Sequence, residues 1–170
     1  MDDEREPAPE RTLRLRYLPS FVSNTGQALP LYVVKAWLLT LIPSLILATL
    51  VTQVALGTPG PEFGAPSPYT LFLIVVFAPV GETLIMVPPL LLLNRLLGPQ
   101  LAIPVNALLW GIAHSLAAPA WGLIVWWPFL IFSAVALVWR SEGKLLKGML
   151  LVMLIHAMQN MVGALPLLLA

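Results

Sequence analysis

The chain has 170 residues, of which 59% are hydrophobic and only 10% are charged, whereas about 25% of the residues in a typical soluble domain are charged. Nine Lys and Arg against eight Asp and Glu give a net charge of +1, so no basic field indicates a nucleic acid partner. The lack of cysteine excludes disulfides, thiolate zinc sites, iron–sulfur clusters and a catalytic thiol. With a mean hydropathy of +0.89, the composition predicts an all-α protein that crosses the lipid bilayer.

The first 30 residues are predicted to form a polar N-terminal arm, and residues 31–170 a transmembrane domain. Residues 1–16 contain five of the eight acidic residues and four arginines, with prolines among them. This composition is typical of a disordered arm or one that lies on the membrane surface. It does not fit a signal peptide, because the polar start is too long and the apolar stretch after it exceeds about 7–15 residues.

Five apolar runs follow the arm, each of about 20 residues, which is enough to cross a hydrocarbon core roughly 30 Å thick. The first run follows Lys35, and a segment rich in Gly and Pro separates it from the second. The runs cover residues 36–56, 70–94, 101–118, 121–139 and 148–170.

The basic residues predict the orientation of these five spans. Five of the nine lie at or before Lys35, one is Arg95, and the other three lie between runs four and five. The loops at 57–69 and around 116–121 have none. Since Lys and Arg favour the cytoplasmic side, we expect a cytoplasmic N-terminus in a cell membrane. Four tryptophans near the fourth run are expected at the membrane interfaces: Trp121, Trp126, Trp127 and Trp139.

Glu82 is an acidic residue midway along an apolar run. A charge at such a depth costs about 2.5–3.5 kcal/mol, so it normally faces protein or a wet cavity. Pro79 and the Pro88–Pro89 pair predict a short helical piece with Glu82 in its first turn, where the helix dipole favours an anion. By contrast, Glu142 lies in the polar turn RSEGK and is interpreted as a solvated interfacial charge.

Both histidines also lie inside apolar runs. At 1.5 Å per helical residue, Glu82, His114 and Asn160 all lie about 20 Å from the expected cytoplasmic end, and His156 about 13 Å. His156 and Asn160 share a helix face through their i, i+4 spacing. These groups from three helices therefore predict one polar site at mid-membrane depth. The alternative to a functional site is a structural role, in which buried Glu and His side chains hold the helices together. The Gly111–Ser115 step is likewise interpreted as helix packing.

Three stretches in chain order, APVGETLIMV, WGIAH and LIHAMQN, resemble motifs of the CPBP (CAAX protease and bacteriocin-processing, or Abi) intramembrane protease family. The family signature is Glu-Glu-x-x-x-Arg, Phe-x-x-x-His and His-x-x-x-Asn/Asp on three core helices. On this resemblance Glu82 takes the first glutamate position and His114 the second-motif histidine. His156 and Asn160 take the third motif, and Trp110 stands in place of Phe.

The resemblance covers residues 70–165 and implies a protease that acts on a peptide or membrane-protein substrate. Together with the compactness of the chain, it favours a prokaryotic cytoplasmic membrane as the location. The family assigns its first glutamate and second-motif histidine to water activation, and its third motif to the oxyanion or to a metal. It is described both as a metalloprotease and as a glutamate-dependent protease. Two positions depart from the signature, since Thr83 replaces the second glutamate and Val87 the arginine. Their joint loss indicates either a divergent active subfamily or a chain that has lost activity.

The residues themselves allow the same chemistry in two forms. Glu82 with His114 can activate water, while His156 with Asn160 can donate hydrogen bonds to an oxyanion. Alternatively, Glu82, His114 and His156 are a two-His, one-carboxylate zinc set with an open position for water.

These residues are compatible with three functions. The leading hypothesis is an intramembrane endopeptidase of the CPBP type. The second is a catalytically degenerate relative that acts as an immunity or partner-binding module, which the altered first motif suggests. The third is a small proton or ion transporter, since Glu and His at mid-depth also suit ion pathways.

Overall fold

The computed structural model describes residues 13–54 and 60–169, with side chains described up to residue 165. Residues 1–12 of the predicted arm therefore lie outside the described part of the chain. Within the described residues the protein is all-helical, with five α-helices and a short 3-10 turn at Ser20–Ser23. The α-helices are α1 (Leu29–Val54), α2 (Pro68–Leu97), α3 (Pro99–Ser115), α4 (Gly122–Ser141) and α5 (Leu145–Leu169).

Four of these five helices are long and apolar enough to cross a membrane, namely α1, α2, α4 and α5. The remaining helix, α3, has 17 residues and is the shortest. Each of the five apolar runs thus corresponds to one helix. The bounds shift most at α1, which begins at Leu29, so that Lys35 lies in its second turn rather than before it.

Helix α4 lies at the centre of the bundle and packs against all four others. Its residues are buried without interruption from Pro128 to Trp139. The outer helices instead leave large apolar side chains exposed, as at Ile42 and Ile46 of α1, which suits a lipid surface. The expected interface position of Trp139 is wrong, because this side chain is 2% exposed and packs edge-on against Tyr32 at 5.6 Å.

Residues 13–28, the described part of the predicted arm, form a packed cap on the end of the bundle, so of the two alternatives for the arm disorder does not apply to them. Leu15, Leu18 and Val22 are buried in the core. The Tyr32 hydroxyl donates a hydrogen bond to the Val22 carbonyl at 3.1 Å. Gln100 binds the cap from α3, since its Nε2 donates to the Arg14 carbonyl at 2.7 Å. The apolar side chains of this segment thus bury themselves while its charged residues stay on the surface.

Helix α2 is continuous through Pro79, Pro88 and Pro89, so the prediction of a short broken helix is wrong. The irregularity is instead a π-helical turn at Leu73–Phe77. The regular α-helical part then begins at Ala78, and its first turn contains no acidic residue. Glu82 therefore lies beyond the first turn, and no helix terminus stabilises its charge.

Helices α3 and α4 approach closely through two glycines. A Cβ atom added to Gly122 would meet the carbonyl oxygen of Gly111 and the hydroxyl of Ser115. A Cβ on Gly111 would in turn lie 3.1 Å from the Gly122 carbonyl oxygen and from Trp126 Cβ. The interpretation of the Gly111–Ser115 step as helix packing is thus confirmed.

A proline in α1 creates a polar contact between α1 and α4. Because Pro43 has no N–H, the Leu39 carbonyl four residues earlier lacks its helical donor. The indole Nε1 of Trp127 donates to this carbonyl at 2.7 Å. An interhelical hydrogen bond thus replaces the missing hydrogen bond within α1. Such a replacement is expected where no water is available to donate to the Leu39 carbonyl.

Replacing Trp127 with Phe is expected to lower the free energy of unfolding by about 1–3 kcal/mol, because the Leu39 carbonyl then has no donor. The change is measured by thermal unfolding in detergent. In a Pro43→Ala background the backbone N–H at residue 43 is restored, so Trp127→Phe should cost clearly less. An equal loss in both backgrounds would show that the indole contributes only by packing.

Candidate functional site

Gly98 places Glu82 and His114 at the same depth. It alone separates α2 from α3, and its φ of +74° is a conformation that glycine adopts without strain. The two helices run antiparallel on either side of it. Glu82 lies 16 residues before Gly98 and His114 lies 16 residues after it. Equal spacing from the turn of a helical hairpin brings the two side chains into one layer.

Both imidazole rings approach one oxygen of the Glu82 carboxyl group. His156 Nε2 lies 3.7 Å from Glu82 Oε2, and His114 Nε2 lies 3.9 Å from the same atom. Both distances exceed the 2.7–3.2 Å of a direct hydrogen bond. Among the described residues, Glu82 Oε2 has no hydrogen-bond partner although it is shielded from solvent. The structure thus brings these three predicted residues together from α2, α3 and α5.

The backbone of α3 determines the tautomer of neutral His114. Its Nδ1 lies 2.8 Å from the Trp110 carbonyl oxygen, which can only accept a hydrogen bond. Nδ1 therefore carries the proton. The lone pair of Nε2 is then directed into the site and faces Glu82, so His114 can accept a hydrogen bond there.

Aromatic side chains surround both histidines. The Trp121 ring meets His114 edge-on at 4.8 Å, and Trp110 stacks on Phe129 at 4.6 Å. Phe132 lies against the His156 ring, with ring centroids 4.7 Å apart. These rings hold the imidazoles in place and make the surroundings of Glu82 apolar. Electrostatic interactions within such a site are stronger than in water.

Asn160 lies in the same layer but binds the backbone of α2. Its Nδ2 donates to the Ile74 carbonyl oxygen at 2.9 Å. In the π turn the Ala78 N–H binds the Leu73 carbonyl instead, and Pro79 has no N–H to offer. The Ile74 carbonyl is thus left without a helical donor, and Asn160 supplies one. This contact ties α5 to α2 directly beside Glu82 and uses one of the two amide hydrogens.

A cavity of about 210 Å³ adjoins Glu82 inside the bundle. Glu82, His114, His156 and Asn160 all line it, and aromatic and aliphatic side chains form most of the rest of its wall. The Glu82 side chain is 26% exposed, whereas that of His156 is 6% exposed. Phe63 from the loop before α2 also lines the cavity and packs on Trp121 at 6.0 Å. The Glu82 side chain is therefore the most accessible of the three, although its Oε2 is shielded from solvent.

The two positions that depart from the CPBP signature are buried. Val87 belongs to the hydrophobic core, and Thr83 is almost fully covered. The Thr83 hydroxyl donates to the Pro79 carbonyl at 2.6 Å. The Thr83 hydroxyl thus has its hydrogen bond and Val87 its apolar contacts, and neither side chain needs a charged partner. Well-packed neutral residues in place of a buried ion pair often leave the stability of a protein equal or higher.

The spacing of the three groups is wider than that of a zinc site. Two ligand atoms about 2.1 Å from a tetrahedral zinc are about 3.4 Å apart, against 3.7 and 3.9 Å here. In residues 13–54 and 60–169 no set of three His, Cys, Asp or Glu side chains has metal-site spacing. As placed, the residues do not fit a zinc ion, and the zinc set stays a prediction from the sequence.

Several features of the site do not follow from the motifs. The aromatic wall formed by Trp121, Phe129 and Phe132 comes largely from α4, which carries none of the motif residues. The lack of a helical donor for the Ile74 carbonyl could have been found from Pro79, which lies five residues later and has no N–H.

The interpretation of Glu142 as solvated is wrong, since its side chain is 7% exposed and lies 3.9 Å from Lys144 Nζ.

The chain was compared with protein-family models, with curated proteins and with solved structures. No family model matches it. No curated protein and no solved structure matches it either.

Proposed function

We propose that the chain is an intramembrane endopeptidase that hydrolyses a peptide bond with water activated by Glu82. One observation carries the proposal, namely the approach of two imidazole Nε2 atoms to a single Glu82 oxygen at the wall of a cavity. A carboxyl group that lacks a hydrogen-bond partner is costly in an apolar bundle and typically marks a functional site.

The proposal places this site in the middle of a multi-pass membrane domain. Four helices have the length and hydropathy to span the bilayer, and α3 completes a five-span bundle because it lies antiparallel to α2. The positively charged side chains of the described residues lie at one end of the helices, around Arg95, Arg140 and Lys147. By the positive-inside rule this end, with the N-terminal cap, is cytoplasmic.

In the proposed first step, Glu82 acts as the general base. A water held between the Glu82 carboxylate and His114 Nε2 gives one proton to the carboxylate, and the resulting hydroxide attacks the scissile carbonyl carbon. The lone pair on His114 Nε2 follows from the bond between its Nδ1–H and the Trp110 carbonyl. His114 thus orients the water, and the surrounding aromatic rings exclude bulk solvent.

In the second step, His156 and Asn160 stabilise the oxyanion that forms on the carbonyl oxygen. The neutral His156 ring offers an N–H from one nitrogen, and Asn160 has a second amide hydrogen that its bond to Ile74 does not use. The C–N bond then breaks, and protonated Glu82 passes its proton to the leaving amine. Glu82 returns to the carboxylate form, so the proton balance closes over one turnover.

The resemblance to the CPBP family supports the same assignment. Glu82, His114 and the His156–Asn160 pair occupy the family's motif positions on three helices that meet in this bundle. Thr83 replaces the second glutamate and Val87 replaces the arginine. One negative and one positive charge are lost together, so the net charge of the site is unchanged. The proposed enzyme therefore works with a single glutamate.

The test is a substrate search with the full chain in proteoliposomes. A peptide library made by digestion of a membrane proteome is added, and new peptide ends are identified by mass spectrometry. We expect a set of cleavages that His114→Ala eliminates. Cleavage that persists in His114→Ala would exclude the proposed site. A zinc chelator is expected to leave the cleavage unchanged, and chelator-sensitive cleavage restored by zinc would favour the metal-dependent form instead.

A second candidate is a non-catalytic member of the same scaffold that binds a partner. The burial of Thr83 and Val87 favours it, because both side chains pack in the interior and neither contributes a charge to the site. On this alternative no peptide is cleaved, and Glu82→Gln leaves the cellular phenotype of the protein intact. The ion-transport hypothesis predicts proton flux in liposomes that Glu82→Gln eliminates.

A further inference from the structure

A polar groove of about 560 Å³ lies between the N-terminal cap and the start of α1, and it shares no lining residue with the cavity at Glu82. Arg14 and Lys35 line it, together with neutral hydrogen-bonding side chains that include Ser20, Asn24 and Gln27. Among the described residues, no acidic side chain lines the groove. From the described residues the groove therefore has two positive charges and several hydrogen-bond donors.

The cap holds these groups in position. The Arg14 backbone is bound to α3 through Gln100, whose Nε2 donates to the Arg14 carbonyl at 2.7 Å. Lys35 Nζ lies 3.5 Å from Gln27 Oε1 and 5.7 Å from the centre of the Phe21 ring. Gln27 in turn donates to the Phe21 carbonyl at 2.8 Å. Lys35 thus lies at the wall of the groove, beside a Gln27 side chain that the cap holds in place.

The apolar surface next to the groove indicates what kind of anion would bind. Lys35 lies six residues, or about 9 Å, along α1 from its first residue, close to the membrane boundary. Leu38 and Ile42, at i+3 and i+7 from Lys35, share its helix face and are exposed. A molecule with its phosphate in the groove would therefore lay an attached acyl chain along this stripe.

We propose that this groove binds the phosphate of an anionic phospholipid from the leaflet that faces the cap. Clusters of Lys and Arg at the end of a membrane helix recognise such headgroups. A free phosphate ion shares the headgroup's charge and acceptors but makes no contact with the apolar stripe. The lipid is therefore expected to bind more tightly than the ion.

The test titrates phosphatidylglycerol into the purified full chain in detergent micelles and follows the Tm. We expect phosphatidylglycerol to raise the Tm, and phosphatidylcholine or inorganic phosphate at the same concentration to leave it unchanged. The double variant Arg14→Gln/Lys35→Gln should weaken the apparent lipid affinity about 25-fold, or about fivefold for each charge removed. Its Tm without lipid, compared with that of the unaltered chain, checks that the fold is intact.

The matched control is Arg95→Gln/Lys144→Gln, which removes two charges from the same end of the bundle but outside the groove. This control should keep the full lipid effect, and an equal loss in both double variants would overturn the proposal. Stabilisation by phosphate alone would assign the groove to a free ion and overturn the lipid assignment. A lipid effect that emerges only after deletion of residues 2–10, which carry five acids, would also overturn it for the full chain.

Discussion

Replacing Glu82 with Gln is expected to eliminate peptide hydrolysis while leaving thermal stability unchanged or slightly higher. A positioned general base contributes about 10²–10⁴-fold to a rate, and the amide of Gln cannot accept the water proton. Gln has nearly the same shape as Glu, so the cavity wall is preserved. The rate is measured with a peptide identified in the substrate search, and unfolding is followed in the same detergent.

The stability half of this prediction rests on the contacts of Glu82. Its Oε2 has no hydrogen-bond partner among the described residues, and both histidines are beyond hydrogen-bond distance. The substitution therefore breaks no bond and removes the cost of an ionised group in an apolar bundle. Groups retained for activity commonly reduce stability in this way.

The control for this experiment is Glu62→Gln, the same chemical change in the exposed loop before α2. It should alter neither rate nor stability. A loss of about 3–5 kcal/mol in Glu82→Gln would instead identify Glu82 as half of a structural ion pair with His114 or His156. The partner-binding alternative would then be favoured over catalysis.

Replacing Gly122 with Ala is expected to cost about 3 kcal/mol, at the top of the range for overpacked cores. For a chain of this size that corresponds to a loss of roughly 6–12 °C in Tm. The added Cβ would meet the Gly111 carbonyl and the Ser115 hydroxyl, and neither helix backbone can yield locally. Since α3 carries His114, the same change should also lower the rate of hydrolysis by moving His114 away from Glu82.

Gly81→Ala and Gly163→Ala are matched controls for this prediction. Both glycines lie in apolar helices, and a Cβ at either position would meet nothing within 4 Å. Alanine there should be neutral or stabilising, because glycine is the weaker helix former. Equal losses at all three positions would mean that helix propensity, rather than the contact between α3 and α4, governs the effect. Thermal unfolding of the three variants side by side decides between them.

The helices themselves could be predicted from the sequence with small errors in their bounds. Apolar runs of about 20 residues have few alternatives to a helix, because lipid offers no hydrogen-bond partner and the chain must satisfy its own backbone groups. The error fell on the prolines of α2, and the packing of the cap was not foreseen. Pro88 and Pro89 were expected to break α2, yet the helix continues, and residues 13–28 pack because Leu15, Leu18 and Val22 provide an apolar face.

By itself, the sequence determined the all-helical class and the isolated polar groups, because charge and amide groups in apolar runs are costly and therefore conspicuous. It also placed Glu82 and His114 at one depth, because each lies about 20 Å from the expected cytoplasmic end of its run. Only the tertiary structure decided which atoms meet. The direction of each ring depends on contacts across helices, such as that of Phe132 with His156, and on the Trp110 carbonyl, which no spacing along the chain specifies. The use of the Asn160 amide by Ile74 likewise arises from a π turn in a different helix.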